Sequence, residues 1–210
     1  MTLSILITDS DKKIGQNINA AIADAVNDRI LRNIRSLTNA TKALIPLWIS
    51  SQPEIISLQS SDSSSLAGQF GIKDSTSTII NNIIQSVVDS TEVHFVRYSK
   101  NLKGGLELRF QPVNFANLLS LPDGHTQYNG GDLHWLDWLL KRGDNIIVTN
   151  YQYNPQTGLG RSGLGNMIPG GSFRVPPQYS GTESDNFITR AFLGSSQEQQ
   201  ISNIIQRALQ

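Results

Sequence analysis

The sequence predicts an α+β fold: a long N-terminal helix, a small antiparallel β-sheet with packed helices, a long Gly/Pro-rich loop and a C-terminal helix. Three observations carry this expectation. Apolar β-branched residues recur at every fourth position through Ile14, Ile18, Ile22, Val26, Ile30 and Ile34, the repeat of a helix face. Two segments of alternating polarity, Val93 to Tyr98 and Leu106 to Phe110, flank a stretch containing Lys100, Asn101, Lys103, Gly104 and Gly105, which is a hairpin pattern. The stretch Leu133 to Tyr153, LHWLDWLLKRGDNIIVTNYQY, spaces Leu133, Leu136, Leu139 and Leu140 with Trp135 and Trp138 as a short buried helix, then crosses Gly143 into Ile146, Ile147, Val148 and Thr149. A helix that runs directly into a strand needs a sheet to dock on, so this stretch is the expected centre of the fold.

The remaining elements follow in chain order as parts of a single domain, residues 1–210, with a helical region at about 9–45 and an extended loop at about 154–183. After a short first strand or arm, Asp9 or Ser10 caps the long helix, which Leu37, Leu44 and Ile45 continue and Pro46 stops or kinks. Ala20, Ala21, Ala23 and Ala25 permit close approach on a second side, so the helix is either a plain amphipathic core helix or one that also packs on a neighbouring subunit. Residues 48–72, with Pro53 and the serines around Ser60 to Ser65, read as loop with one helical turn. Asp74 or Ser75 then caps a helix carrying Ile79, Ile80, Ile83, Ile84, Val87 and Val88. Val113 to Leu121 is a short helix, and a loop through Asp123, Gly124, Asn129, Gly130 and Gly131 leads to the central stretch, with Asp132 as its helix cap. Asp185 to Leu193 is a strand or a turn of helix, and Ser195 or Ser196 caps the C-terminal helix of Ile201, Ile204, Ile205, Ala208 and Leu209.

Composition narrows the function classes. Seventeen basic and seventeen acidic residues leave no net charge, so the whole chain has no electrostatic footprint for nucleic acid or an anionic membrane. The absence of cysteine excludes thiolate catalysis, Cys-ligated zinc and disulfides. The apolar run Leu3 to Ile7 is too short for a signal peptide and its lysines follow it, and no segment reaches membrane-spanning length. Only 16% of residues are charged, polarity coming instead from Ser, Asn, Gln and Thr, and such a neutral surface suits assembly.

No catalytic, cofactor or metal constellation emerges. Gly158, Gly160 and Gly163 fit G-x-G-x-x-G with Glu183 some twenty residues on, but a dinucleotide site must open a helix, and Pro169, Gly170 and Gly171 follow instead. His125, His134, Asp123 and Asp132 lack usual ligand spacing. Glu107 and Asp137 are isolated carboxylates, and Gly160 to Leu164 lacks the second glycine of a nucleophile elbow. Trp135 and Trp138 on a leucine-rich helix read as core before they read as a stacking platform. Arg161 and Arg174 bracket the glycine loop. With Tyr179 they either grip a carboxylate or nucleic acid, or remain solvated loop charges.

The segments HWLDWLLKRGDNIIV, GRSGLGNMI and FRVPPQYSGTESDNFITRAF, followed by a terminal helix, come in an order that resembles the tail-completion, minor tail or neck proteins of tailed bacteriophages, especially contractile-tailed phages of cyanobacteria. The upstream PEIISLQS, LAGQFGI and IIQSVVDSTEVHF extend the likeness over residues 45–193, with Gly160-Arg161-Ser162-Gly163, Val175-Pro176-Pro177 and Gly181-Thr182 as its motifs. The resemblance implies a structural virion protein, assembled in the host cytoplasm into a homo-oligomeric ring at the neck or tail, with adjacent neck or tail proteins as partners. It implies no membrane and no sequence-specific nucleic acid. On that reading the interface residues are Ala21 and Ala25 of the N-terminal helix, and Arg161, Phe173, Arg174, Val175, Pro176, Pro177 and Tyr179 of the loop, with Gln156 to Gly181 an arm ordered on another subunit. The rival expectation is a cell-envelope or polysaccharide hydrolase using Asp132, Asp137 or Glu107 as carboxylates.

Overall fold

The structure, a computed structural model, describes residues 9–73, 75–110, 112–128, 131–157 and 160–210. The run Leu3 to Ile7, Asp74, Asn129, Gly130, Gly158 and Leu159 lie outside the described residues. Helix and strand are mixed as expected, with a long N-terminal helix, small antiparallel sheets and a C-terminal helix. The chain, read from sequence as one domain, divides into two compact units. The first comprises residues up to 41 with 93–109 and 199–210, and the second comprises 42–92 with 110–198.

In the first unit, α1 (Asp11–Arg32) starts at Ser10, whose hydroxyl accepts the Lys13 amide proton. The helix does not run on to Leu44. It ends at Asn33 and restarts as α2 (Ile34–Lys42). Asn33 has a different use, since its side-chain amide donates to the Ala208 carbonyl of α10 (Ser195–Leu209) at 3.0 Å. Strands β1 (Thr91–Val96) and β2 (Gly105–Phe110) form the expected hairpin. Buried Asn27 binds its end like a strand edge, donating to the Tyr98 carbonyl at 3.0 Å and accepting the Tyr98 N–H at 2.7 Å.

The isoleucine repeat of α1 is not a single buried face. Four residues advance about 400° around a helix, so a strict i+4 stripe drifts by about 40° at every step. Ile30 therefore lies in the core while Ile18 and Ile22, 54% and 45% exposed, do not. The buried face is Ala23, Asn27 and Ile30, and Ile18, Ala21 and Ala25 occupy the opposite side, exposed to solvent.

The second unit corrects the reading of residues 48–72 as loop. Three short helices occupy the region, α3 (Ile45–Ser50), α4 (Pro53–Gln59) and α5 (Leu66–Phe70). Pro46 and Pro53 sit in the first turns of α3 and α4, where a helix has no use for the missing N–H, so Pro46, expected to stop or kink a helix, and Pro53, expected in a loop, each begin one. The serines separate α4 from α5, and Ser65 caps α5 through the Gly68 amide. Trp48, Ile49, Ile55, Leu58, Leu66 and Phe70 all enter the core, together with Ile79, Ile80, Ile83 and Val87 of α6 (Thr76–Ser90).

After α7 (Ala116–Leu119) come the paired strands β3 (Thr126–Tyr128) and β4 (Gly131–Leu133). Leu133 and Asp132 therefore belong to a strand, and Asp132 is not a helix cap. The central helix is shorter than expected, α8 (Trp135–Asp137) continued by a π-helical turn, Trp138–Arg142. Trp135, Leu136, Leu139 and Leu140 are fully buried, as their spacing required.

The strand that follows, β5 (Ile146–Asn154), pairs with β6 (Asn166–Arg174), and this overturns the expected arm. Much of the Gly/Pro-rich tract packs on its own unit. Phe173 pairs opposite Val148 in the ladder and is 5% exposed, and Val175 is 0% exposed. Main-chain pairing with β5 and burial of these side chains offset the ordering entropy that the tract was expected to recover from another subunit. Two register shifts, one beside Asn150 at φ 62°, let the glycine-containing strand follow its partner. Helix α9 (Phe187–Phe192) resolves the strand-or-helix alternative, with Asn186 and Thr189 forming a capping box.

Candidate functional site

A cavity of about 610 Å³ opens on the second unit where the β5–β6 ribbon, the π-helical turn, the β3–β4 ribbon and the end of α5 meet. Its apolar wall is Phe70, Ile147, Val148, Met167 and Phe173, and Trp138 lines it from the turn. Its volume lies within the range of small-molecule sites.

Three sets of polar groups border it. Asp137 ends α8 just before the π-helical turn that Arg142 closes, the wider turn bringing residues five apart onto one side, and Asp137 accepts from Arg142 Nε at 2.5 Å. This hydrogen bond and the carboxylate charge push the Arg142 guanidinium further up from its ordinary value. His134 lies beside His125, the rings stacked at 3.7 Å. The His134 Nε2–H donates to the Leu119 carbonyl at 3.1 Å, while burial first and the neighbouring His125 second hold its pKa below the ordinary value. His125 Nδ1 is 2.7 Å from Asp132, so that carboxylate has a local partner too.

The third set is Arg161 with Tyr128, the guanidinium carbon standing 5.8 Å from the ring centroid as a cation–π pair. Arg161 is half-buried, its Nη1 is shut off from solvent without a hydrogen-bond partner, and among the described residues no carboxylate pairs with it. The turn that presents it depends on glycine. A Cβ on Gly160 would stand 1.9 Å from the Gly165 carbonyl oxygen, so no other residue fits. Tyr153 holds the base of this turn, its hydroxyl donating to the Ser63 carbonyl at 2.5 Å and accepting the Gly165 N–H at 2.9 Å. Burial raises the Tyr153 phenol above its ordinary pKa and keeps it a donor.

The residues singled out from sequence are distributed unevenly. Phe173 and Val175 are core side chains of their own unit and are not free anchors for a partner. Pro177 and Tyr179 form a 3-10 turn after Pro176, and Tyr179 is half-buried. Arg174 is exposed and stands 3.9 Å from Asp144. Ala21 and Ala25 are exposed. Gly160 and Gly163 form a tight turn that runs into β6, so there is no helix N-terminus to receive a pyrophosphate. Asp132 and Asp137 border the same cavity, whereas Glu107 lies on β2 of the other unit, bonded to Arg109. Among the described residues no group of three His, Cys, Asp or Glu could hold a metal ion, and no helix is long and apolar enough to cross a membrane.

Sequence reasoning missed Tyr128, Arg142, Tyr153 and Met167 as wall residues, because nothing local marks side chains that only the sheet pairing brings together. It also missed an ion pair between buried Glu54 of α4 and partly exposed Arg190 of α9, in which Arg190 also holds Asp185 at 2.7 Å. No protein-family model matches the chain, and no curated protein or solved structure is significantly similar to it.

Proposed function

We propose that this chain is a structural subunit of a tailed-bacteriophage virion, self-associating into a ring at the neck or tail beside other neck or tail proteins, and performing no catalysis. The observation that carries the self-association is the divided helix α1. One face is buried through Ala23, Asn27 and Ile30, while Ile18, Ala21, Ile22 and Ala25 present apolar side chains at i, i+3, i+4 and i+7 to solvent. The segment order that resembles phage neck and tail proteins supports the location. The arm on a neighbouring subunit has no place in this reading, since β6 is paired at home, and the contact falls to α1, with exposed Arg174 at the edge of the ribbon.

In light scattering coupled to size exclusion, the protein is expected to run as an oligomer. Ala21→Phe and Ala25→Phe are expected to weaken assembly, because overpacking a close contact costs on the order of 1–3 kcal/mol per subunit pair. Melting of the dissociated chain should move little, since an exposed site away from special features changes stability by about 0.5 kcal/mol or less. A monomeric wild-type protein, or a variant whose melting falls while its assembly is unchanged, would remove α1 from the contact.

One observation favours a second reading, a phage-borne polysaccharide or cell-envelope hydrolase: Asp132 and Asp137 share one cavity wall. Each is already held, by His125 and Arg142 respectively. Turnover of peptidoglycan or a bacterial polysaccharide that disappears in Asp137→Asn, with folding retained, would establish that reading over the structural one.

A further inference from the structure

We propose that the cavity of the second unit is a binding site for a small apolar carboxylate, anchored by the Arg161 guanidinium and seated on the wall of Phe70, Ile147 and Met167. The inference does not rest on the virion reading. It starts from which charged groups around the cavity already have a hydrogen-bond or ion-pair partner. Asp137 is neutralised by Arg142 at 2.5 Å, and Asp132 receives His125 at 2.7 Å. Arg161 is the charged wall residue left over, since among the described residues no carboxylate lies within ion-pairing distance and its Nη1 is buried without a partner. Nη1 is closed to solvent, so it is the remaining N–H groups of the Arg161 guanidinium, on the cavity wall, that meet an incoming carboxylate, and the planar fork of guanidinium fits that group in two parallel bonds. The Tyr128 ring against Arg161 removes water from one side of it, which strengthens the same interaction.

The rest of the cavity selects against a highly charged or sugar-like ligand. Apart from the pairs already made, its lining is mainly aromatic, aliphatic and glycine, with Gln69, Thr126 and Asn166 as its further polar side chains, so a polyhydroxylated or polyphosphate ligand would leave many of its polar groups without partners there. The Tyr153 hydroxyl is committed to Ser63 and Gly165, and His134 to Leu119. The ligand class is therefore one carboxylate at one end and an aryl or alkyl body of modest length.

The test is calorimetric titration of the full chain with 3-phenylpropionate as probe and 3-phenylpropanol as its neutral counterpart, with Trp138 fluorescence as an independent reading of the cavity wall. Saturable binding of the acid is expected, with the alcohol and the Arg161→Gln variant each weaker by roughly 10- to 100-fold, the range for a hydrogen bond to a charged group. Met167→Trp, which fills the cavity and leaves Arg161 in place, is expected to abolish binding and keeps the proposal open to refutation if Arg161→Gln does not fold. No saturable binding at millimolar probe, equal binding of acid and alcohol, or unchanged affinity in Arg161→Gln or Met167→Trp each overturns the assignment.

Discussion

Replacing Trp135 by alanine is expected to lower the unfolding free energy by about 3–5 kcal/mol, the range for removing a fully buried large aromatic side chain. Trp135 is 0% exposed, stacks on Phe70 at 5.7 Å, and donates its indole N–H to the Asp123 carbonyl at 3.0 Å. Truncation thus removes dispersion contacts, opens a cavity against α5 and leaves a carbonyl without its donor. Urea denaturation of the isolated protein measures the change. Trp138, half-buried at the cavity edge, is the internal control, and Trp138→Ala should cost less than about 3 kcal/mol, below the range for a fully buried aromatic side chain. Similar losses at the two positions would mean that the central stretch is buried uniformly and that Trp138 is not a cavity wall.

The second large effect lies in the Glu54–Arg190 pair. Glu54 is 0% exposed, one of its oxygens has no partner, and Arg190 is the cation that holds it. Arg190→Met leaves a buried carboxylate uncompensated, which costs about 2–4 kcal/mol when the figure for a fully buried pair is reduced for the partial exposure of Arg190. The deficit should depend on pH with a definite sign. Burial outweighs Arg190 and raises the Glu54 carboxyl above its ordinary 4.5, so the native state binds that proton more tightly than the unfolded chain. Stability from this group therefore grows as pH falls through the raised value, and the gain is complete near the ordinary one. Removing Arg190 raises the folded value further, so the deficit is largest at pH above that raised value and shrinks as acid protonates Glu54. The double change Glu54→Gln with Arg190→Met should recover part of the loss at high pH. Denaturation midpoints compared from about pH 8 to about pH 5 decide the matter. A deficit constant over that range would mean that no buried charge is exposed by the substitution.

What could be read from the sequence tracks how local the determining physics is. The hairpin of β1 and β2, helix α6 and the buried Trp135, Leu136, Leu139 and Leu140 all follow from side-chain period, which needs only neighbours along the chain. Residues 48–72 were misjudged because proline and serine were weighed as breakers, whereas Pro46 and Pro53 occupy first turns and Ser65 is a cap. The loop of 154–183 was misjudged because glycine and proline hide a strand that exists through pairing with β5, a partner that no local pattern names. The cavity was invisible for the same reason. Arg161 stood out as an interface candidate from its loop, but its pairing with Tyr128 is a consequence of two ribbons meeting. Glu54 and Arg190 are 136 positions apart, and neither has a neighbour that announces the other.

The first unit is assembled from three separated stretches of chain, and this governs what a ribosome releases. The Asn33 side chain awaits the Ala208 carbonyl, 175 positions downstream, and the Asn27 pocket awaits Tyr98, 71 positions downstream. At synthesis rates of about 5–20 residues per second, α1 therefore emerges roughly ten seconds or more before α10 can reach it. Until the hairpin with Tyr98 emerges both apolar sides of the helix are bare, and the side carrying Ile18 and Ile22 stays bare for the rest of the interval. A nascent chain in this state is a substrate for hydrophobic capture by chaperones or by neighbouring nascent chains on the same message. Vectorial folding cannot complete either unit early, since the second also closes late, when α9 brings Arg190 to Glu54. Recombinant yield should accordingly respond more to slowed translation and chaperone supply than the stability of the finished protein would suggest.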